Sequence, residues 1–374
     1  MKIAVDVREL RYNRITGIGR FLLNFLRHIT TFSKKDWEFI IVTDTNEISE
    51  FNINLKKEFI PSESSFFWDQ IQLPRFLKKQ KIDLFFSPYL KAPIYCPCKF
   101  VITIHDLLFL KFPFYKGIDK INKFIFFTTL GKILTKKSDR IIAVSNYSKR
   151  DIINTFNVIE EKISVIPNGV EKQFRPITDT IALEAMKQKY GIIKKYILFL
   201  GNFLPHKNVK GLITAYSRIS VRLRNETQLV IVANKNRLFK EIHNLVEKLK
   251  LTQKVLFINF VDEQDLPALY SAAELLALPS FYEGFGLPVL EAMACGTAVI
   301  ASNTTAIPEL IGNAAIKINP NNNDELIAEL NNLLNDSELR LQMRELGLNR
   351  AKEFLVEKSA SRILGVMEEV LNEV

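Results

Sequence analysis

The chain has 374 residues, 47% of them hydrophobic and 25% charged, which supplies material for two packed cores and is ordinary for a soluble protein. Its three cysteines are too few for a disulfide framework, and it shows neither a signal-peptide pattern nor an apolar run of about 18 residues, so we expect a cytoplasmic protein without a membrane span. The net charge of +10 comes from the first half, where residues 1–175 carry 29 Lys and Arg against 18 Asp and Glu, and this asymmetry indicates an anionic partner, either nucleic acid or membrane headgroups.

Short apolar runs alternate with amphipathic helical patterns, which is typical of βαβ units around a parallel sheet. In the first half the predicted strands are 2–7, 38–43, 84–87, 100–105, 140–144 and 162–166. In the second half they are 196–200, 228–232, 255–258, 275–278, 298–301 and 315–318. Helices are predicted between them, for example at 19–30, 149–156, 209–220 and 240–250, and residues 324–374 are predicted to form several helices without strands.

Residues 167–176 interrupt this alternation with an Asn-Gly pair and two prolines, and the charge balance changes there. We therefore predict an α/β fold of two doubly wound parallel-sheet, Rossmann-like domains that face one another across a cleft. The domains are residues 1–172 and residues 173–374, with the last helix packing back on the first domain. Ligands of such sheets bind beyond the carboxyl ends of the strands, so each domain is expected to contribute a site.

The densest group of candidate site residues follows the predicted strand 275–278. A turn with Glu283, Gly284 and Gly286 precedes a helix that has Pro288 in its first turn and carries Glu291. This arrangement directs backbone N–H groups and the positive end of the helix dipole toward the turn, which favours an anion there. The dipole alone would explain either glutamate, but it does not explain both together with the two glycines.

A second candidate is the loop 201–208, which joins a predicted strand to a predicted helix. Lys207 lies directly before that helix, and its ammonium is a mobile point charge suited to a phosphate at the helix end. An exposed loop lysine without a ligand is the alternative interpretation. The strand–loop–helix setting favours the phosphate role.

Two weaker signals lie in the first half. Gly17 and Gly19 follow the first strand and its loop, but the third glycine of a dinucleotide fingerprint is absent, so a tight turn also explains them. His105 ends the strand 100–105; a lone histidine is more often a core residue, yet the tip of a parallel strand is where catalytic groups lie. Asp106 either orients His105 or caps the next turn.

Cys96 and Cys98 lack a second pair and a nearby histidine, so no metal site is predicted.

With these motifs on one chain, the sequence resembles the family 4 glycosyltransferases of the GT-B fold, and most of all the bacterial mannosyl- and rhamnosyl-type transferases of surface polysaccharide synthesis. The most specific part is the Glu-x7-Glu motif formed by Glu283 and Glu291. The resemblance runs nearly end to end and is supported by segments 17–20, 105–106, 144–148, 166–170 and 201–208.

The resemblance implies a retaining, metal-independent transfer of a hexosyl group, here mannosyl from GDP-mannose, with no cofactor besides this nucleotide-sugar donor. The acceptor would be a saccharide or lipid-linked saccharide of O-antigen, capsule or lipopolysaccharide synthesis. In this fold the first domain holds the acceptor and the second the donor. The protein is then expected to be peripheral on the inner face of the cytoplasmic membrane.

The resemblance also implies roles for positions of the second domain. Glu291 would hold the donor ribose hydroxyls, and Glu283 would lie beside the transferred sugar. Backbone around Val261 would contact the base. Donor sugar and phosphate would meet the N–H groups of Gly284, Phe285, Gly286 and Leu287.

Catalysis would depend on Lys207, Glu283 and His105. Lys207, on the loop that begins at Gly201, would neutralise the diphosphate leaving group. Many relatives carry an arginine where this chain has Asn202, and His206 would take part of its place. His105 would contact the donor sugar and help to place the acceptor hydroxyl, while Gly17 and Gly19 would leave room for donor phosphate or acceptor.

Three other functions are less consistent with the sequence. A nucleotide-sugar epimerase on the same fold needs acid and base carboxylates that are not evident beside His105. A non-catalytic glycosyltransferase-like subunit is disfavoured by the intact pair of Glu283 and Glu291 with Lys207. Nucleic-acid binding is disfavoured because no base-reading basic helix or RNA-binding aromatic signature is present. The anionic partner is therefore expected to be a membrane surface. The Phe- and Lys-rich segment 109–127 is either part of a core or a lipid-facing patch with basic flanks, and the second interpretation is favoured.

Overall fold

A computed structural model describes residues 1–10, 16–45, 55–62, 64–111 and 118–373, apart from the side chains of residues 30 and 118–126. The chain divides into two compact units. The first consists of Met1–Gly169 and Leu355–Val374, and the second of Val170–Phe354. The chain thus crosses between the units twice, once inside the predicted segment 167–176 and again before its last helix.

Each unit contains a parallel sheet, which confirms the predicted fold class. The strand orders are β3-β2-β1-β4-β5-β6-β7 and β10-β9-β8-β11-β12-β13. The strands are β1 (Lys2–Asp6), β2 (Glu38–Thr43), β3 (Lys56–Phe59), β4 (Leu84–Ser87), β5 (Lys99–Ile104), β6 (Arg140–Ala143), β7 (Ile163–Val165), β8 (Lys195–Gly201), β9 (Thr227–Ala233), β10 (Val255–Ile258), β11 (Leu275–Leu278), β12 (Ala298–Ser302) and β13 (Ile316–Ile318). All predicted strands are present within a few residues of their predicted bounds, and β3 is an edge strand that was not predicted.

Helices lie in most of the connections between successive strands, as is usual for parallel pairing, whereas β4 and β5 are joined by a loop. They are α1 (Gly17–Phe32), α2 (Ser65–Phe67), α3 (Leu73–Lys79), α4 (Leu108–Lys111), α5 (Ile118–Lys137), α6 (Asn146–Phe156), α7 (Thr180–Tyr190), α8 (Val209–Arg218), α9 (Val221–Glu226), α10 (Phe239–Lys248), α11 (Leu266–Ser271), α12 (Leu287–Ala294), α13 (Ile307–Ile311), α14 (Asn323–Asn335), α15 (Ser337–Ala351) and α16 (Val356–Asn372). Within the described ranges, none of these helices has the length and apolarity needed to cross a bilayer.

The strand order reverses once in each sheet. In the first sheet the reversal lies between β1 and β4, and in the second it lies between β8 and β11. At such a point the connections on either side leave toward opposite faces, so a crevice opens outside the carboxyl ends of the strands, and ligands bind there. The loops that follow these four strands are therefore the places where a site is expected.

The core of the first unit includes the helix that ends the described chain. Ile3 and Val5 of β1 belong to one cluster with residues of α1 and with Ile363 and Met367 of α16, while Ala4, which points to the opposite face, packs with residues of α3 and α6. This alternation is the two-residue period of a strand that is buried on both faces. α16 is therefore a structural part of the first unit.

The chain returns to the first unit through a close backbone contact at Gly169. A Cβ atom placed there would lie 2.3 Å from the Cα of Val356 and 2.4 Å from its backbone nitrogen. Beside this contact, the Ser359 hydroxyl donates to the carbonyl oxygen of Pro167 at 2.6 Å. Only glycine lets the two segments approach this closely.

Candidate active site

An ion pair lies at the switch point of the second sheet. The Nζ of Lys207 contacts the two carboxylate oxygens of Glu283 at 2.7 Å and 2.9 Å. Lys207 belongs to the loop after β8 and Glu283 to the loop after β11, which are adjacent strands. Both side chains are nearly buried, with 12% and 9% of their surfaces exposed, so water screens their attraction only weakly. Two residues predicted to be catalytic are therefore brought into direct contact.

The loop that carries Lys207 is held by its own polar groups. The Oδ1 atom of Asn202 accepts a hydrogen bond from the backbone N–H of Leu204 at 2.9 Å, which shapes the turn after Gly201. The carbonyl oxygen of His206 accepts from the N–H of Phe281 at 2.7 Å and so ties this loop to the loop of Glu283. Asn202 thus has a structural role in this loop.

The turn between β11 and α12 depends on a glycine with a left-handed backbone. Gly286 has φ of 108°, and a Cβ atom there would lie 2.6 Å from Cδ1 of Ile307. The N–H of Glu283 donates to Oγ1 of Thr305 at 3.0 Å, which anchors the start of the turn. Because α12 follows at once, its positive dipole end lies beside this turn and favours negative charge there.

Glu291 is deeply placed within α12. Only 2% of its surface is exposed, and its Oε2 atom accepts a hydrogen bond from the Tyr270 hydroxyl at 2.7 Å. Tyr270 lies on α11 and is fully buried. Tyr270 was not predicted as a site residue from the sequence, because an aromatic residue on a short apolar helix is most simply interpreted as a residue of the hydrophobic core. Tyr270 therefore fixes the position of the Glu291 carboxylate, which is predicted to bind the donor.

The other predicted donor contacts occupy different parts of the same unit. The buried Val261 follows β10, at the far edge of the sheet from β13. Leu287 begins α12, and the ring of the buried Phe285 packs edge-on against Phe354, with centroids 6.0 Å apart. Phe285 therefore has a packing role besides any backbone contact with a ligand.

His206 has a perturbed ionisation with a consequence for stability. Burial, assisted by the neighbouring ammonium of Lys207, lowers the pKa of His206 to about 4. The folded protein therefore disfavours the protonated ring, whereas the unfolded chain takes up a proton near pH 6.5. Stability contributed by the neutral ring is complete above pH 6.5 and is lost as the pH falls toward 4.

We expect His206→Gln to remove part of this acid sensitivity. The free energy of unfolding of the wild-type protein should fall by about 2 kcal/mol more than that of the variant between pH 7 and pH 5. Chemical denaturation at both pH values measures the difference. His243→Gln, at a half-exposed helical position, is the matched control and should behave as the wild type. Equal losses in His206→Gln and wild type would contradict the assignment.

His105 lies at the tip of β5 in the first unit. Its Nε2 atom is 2.8 Å from the carbonyl oxygen of Pro88, so Nε2 carries the proton and donates. Although the residue is partly exposed, desolvation of the ring lowers the pKa of His105 to about 4, which keeps it neutral. The rings of Phe21 and His105 also pack edge to face, with 4.9 Å between their centroids. The Nδ1 atom of this tautomer bears a lone pair, so it can accept a hydrogen bond from a hydroxyl group.

The neighbouring first-unit predictions have simple structural roles. Asp106 accepts a hydrogen bond from the N–H of Leu108 at 2.9 Å and so caps α4. Gly17 is the first residue of α1, and a Cβ atom added to it would meet no atom within 4 Å. The N–H of Gly19 donates to Oγ1 of Thr16 at 3.1 Å, which caps α1. In the Phe- and Lys-rich segment, residues 112–117 and the side chains of residues 118–126 lie outside the described part of the chain.

Both halves of the chain match models of known protein families. The protein-family model "Glycosyltransferase Family 4" matches residues 15–174, and the family model "Glycosyl transferases group 1" matches residues 184–350. O-antigen chain mannosyltransferase B of Escherichia coli is 31% identical over 268 residues, which cover 71% of this chain and 68% of that protein. The chain belongs to the family 4 glycosyltransferases. The predicted family and the general activity of a glycosyltransferase are thereby confirmed.

Two further matches are proteins whose names or titles refer to mannosyl transfer or to lipopolysaccharide biosynthesis. Serotype-specific mannosyltransferase WbdA of Escherichia coli is 29% identical over 262 residues, 69% of this chain, but the match spans only 32% of that longer protein. The crystal structure of WaaG, described as a glycosyltransferase involved in lipopolysaccharide biosynthesis, superposes with a TM-score of 0.80 at 19% identity, covering 97% of this chain and 99% of WaaG. At that identity the likeness to WaaG concerns the fold.

Proposed function

We propose that this glycosyltransferase transfers a mannosyl group, with retention of configuration, from GDP-mannose to a saccharide or lipid-linked saccharide acceptor in cell-surface polysaccharide synthesis. The observation that carries the proposal is the nearly buried Lys207–Glu283 pair at the switch point of the second sheet, with the amino-terminal end of α12 beside it. The mannosyl donor is supported by the mannosyltransferase names of the relatives.

In this mechanism the bond between the sugar C1 atom and the phosphate oxygen breaks while the acceptor oxygen bonds to C1. Negative charge accumulates on the departing diphosphate, and the acceptor hydroxyl passes its proton to the phosphate oxygen that leaves C1. The ammonium of Lys207 and the positive end of α12 stabilise that charge without reorganisation, because both are fixed before the donor arrives. Glu283 shares Lys207 with the diphosphate and lies where positive charge develops on the sugar.

The buried Glu291 is assigned to the two ribose hydroxyls of the donor. A carboxylate accepts hydrogen bonds from both, and the bond from Tyr270 occupies only part of its accepting capacity. Neutral His105 is assigned to the acceptor, whose hydroxyl donates to the Nδ1 lone pair. The excess positive charge of residues 1–175 supports peripheral attachment to an anionic membrane surface.

A thermal-shift screen against UDP-, GDP-, dTDP- and CMP-sugars in the presence of EDTA tests the donor. We expect GDP-mannose alone to raise the melting temperature, since a ligand that binds only the folded state stabilises it by mass action. Glu291→Gln keeps an acceptor for Tyr270 but loses the carboxylate charge, so donor affinity should fall at least about tenfold. Glu345→Gln, at an exposed position of α15, is the control.

The outcome that would overturn this donor assignment is a selective shift with a different nucleotide, or the same GDP-mannose shift in Glu291→Gln as in the wild type. Transfer to an added lipid-linked saccharide is followed by NMR of the product. The one-bond coupling constant between C1 and H1 of the transferred sugar distinguishes retention from inversion. An inverted product would contradict the retaining mechanism and leave the donor assignment standing.

A further inference from the structure

The first unit has two neighbouring cavities at the switch point of its own sheet. One is polar, about 430 Å³, and the other is mainly apolar, about 320 Å³. Both are lined by Glu9 from the loop after β1 and by Tyr89 and Lys91 from the loop after β4. These strands are the ones between which the strand order reverses, and the volumes lie in the range of small-molecule sites.

Beneath the polar cavity lies a buried ionic network that the sequence did not reveal. The guanidinium of Arg8 binds Asp6 through Nε and Nη2, and the same Nη2 contacts Asp69 at 2.6 Å. The guanidinium of Arg8 also stacks on Trp68, with 3.7 Å between the Cζ atom of Arg8 and the centroid of the Trp68 ring. The Tyr89 hydroxyl donates to Asp6 at 2.6 Å. Burial alone would lower the pKa of Arg8, but Asp6 raises it above its ordinary value.

This network holds Arg8 in one orientation. Residues 68–72 form a wider π-helical turn between α2 and α3, and this turn places both Trp68 and Asp69 against the guanidinium. Within the described residues, the Nη1 atom of Arg8 has no hydrogen-bond partner, while the residue lines the polar cavity. A rigid group with two N–H donors is thus presented to that cavity, and its charge is balanced by the carboxylates behind it.

Among the described residues that line the polar cavity, positive and negative charges are equal in number. Arg8 and Lys91 are cationic, and Glu9 and Asp44 are anionic. With Asp6 and Asp69 behind Arg8, the local balance is negative, which disfavours a phosphate or carboxylate ligand. A lining that contains both donors and acceptors instead suits hydroxyl groups, because every hydroxyl donates one hydrogen bond and accepts others.

The second cavity differs in character and contains the candidate catalytic histidine. Its walls include Phe109 and Phe127, whose rings pack edge to face at 5.5 Å, and the ring of His105. An aromatic wall covers the apolar C–H face of a sugar ring, and His105 can accept from one of its hydroxyls. The reacting end of an acceptor therefore fits this cavity better than the polar one.

We propose that the two cavities form a two-part acceptor site for an uncharged saccharide of at least two units. The terminal sugar lies against Phe109 and His105, and the preceding sugar lies among Arg8, Glu9, Asp44 and Lys91. This inference rests on the proposed mannosyl transfer for the identity of the sugar, and it extends that proposal by naming the length and charge of the acceptor.

Binding is measured without donor, by ligand-observed NMR titration of the full chain, so that the result does not depend on transfer. The probes are methyl α-mannoside, methyl mannobiosides with 1→2, 1→3 and 1→6 linkages, and mannose 6-phosphate. We expect at least one mannobioside to bind about tenfold more tightly than methyl α-mannoside, since it makes hydrogen bonds in the second part. Mannose 6-phosphate should bind no more tightly than methyl α-mannoside.

Two variants separate the parts of the site. Asp44→Asn should abolish the advantage of the mannobioside and leave methyl α-mannoside within twofold of its wild-type affinity, while Phe109→Leu should weaken both by similar factors. Lys91→Met provides the same test as Asp44→Asn if the latter fails to fold. Asp36→Asn, an exposed aspartate before β2, is the matched control.

The proposal is overturned if no mannobioside binds more tightly than the monosaccharide, or if the phosphorylated sugar binds best. An equal loss for mono- and disaccharide in Asp44→Asn also overturns it. None of these results affects the thermal shift with GDP-mannose, so failure of the acceptor inference is distinguishable from failure of the proposed donor.

Discussion

Lys207→Met is expected to lower kcat/KM at least about a hundredfold, which is the loss found when one preorganised group that stabilises developing charge is removed. The substitution deletes the ammonium that pairs with Glu283 at 2.7 Å and keeps most of the apolar stem. It also leaves the Glu283 carboxylate, 9% exposed, without this cation. Such a partner loss destabilises a folded protein, so the melting temperature should fall together with activity.

Glu283→Gln should behave differently, because it releases Lys207 from its carboxylate. The ammonium is then available to the diphosphate alone, and we expect GDP to bind severalfold more tightly than in the wild type. Turnover should still fall, since the substitution removes the carboxylate that we propose to lie beside the transferred sugar. The double variant Lys207→Met/Glu283→Gln should recover part of the stability lost in Lys207→Met, which a double-mutant cycle measures as coupling.

Titration calorimetry with GDP, steady-state kinetics and thermal denaturation give the three quantities. Lys210→Met is the matched control, because Lys210 lies on α8 and pairs with Glu241 at the surface. It should leave all three nearly unchanged. GDP affinity that is the same in Lys207→Met, Glu283→Gln and wild type would place the diphosphate elsewhere in the second unit.

Gly169→Ala is expected to destabilise the first unit by about 3 kcal/mol or more, which lowers its melting temperature by at least about 6 °C. The added Cβ atom would lie 2.3 Å from the Cα of Val356 and 2.7 Å from the carbonyl carbon of Leu355. Both are backbone atoms, so no side chain can rotate away. The start of α16 must move instead, which disturbs its packing in the core of the first unit.

Gly365→Ala, a substitution within α16, is the control for Gly169→Ala. Its Cβ atom would meet nothing within 4 Å, and alanine is a better helix former than glycine, so this variant should be as stable as the wild type or more so. Thermal unfolding followed by circular dichroism compares them. A melting temperature for Gly169→Ala within about 1 °C of the wild type would show that the contact at Val356 yields without cost.

The strands of both sheets were predictable from sequence, because they are apolar runs buried on two faces. β3 was missed for the opposite reason. Its residues Lys56, Lys57 and Phe59 are exposed, and the strand exists through backbone pairing with β2, which leaves no hydrophobic pattern. Likewise, the return of α16 to the first unit follows from tertiary packing with α1, and no local signal specifies the partner of an amphipathic helix.

The candidate site divides in the same way. Glu283, Glu291 and Lys207 stand out because glycine-rich turns follow strands there, which is a local pattern. Tyr270 and Thr305 do not stand out, since each acts through one long-range hydrogen bond. Arg8 carried a usable signal, because it lies two residues after Asp6, the last residue of the buried strand β1. Its second carboxylate, Asp69, lies 61 residues away and could be assigned only from the fold.

The division of the first unit into two separated segments has a consequence for biosynthesis. A ribosome delivers residues 1–169 first, yet Ile363 and Met367, which complete their core, follow only after all of residues 170–354. Until then the apolar side chains of β1 and α1 that α16 covers remain accessible to chaperones. The second unit is one continuous segment and can fold as soon as it emerges. The half of the protein that is translated first is therefore the half that finishes folding last.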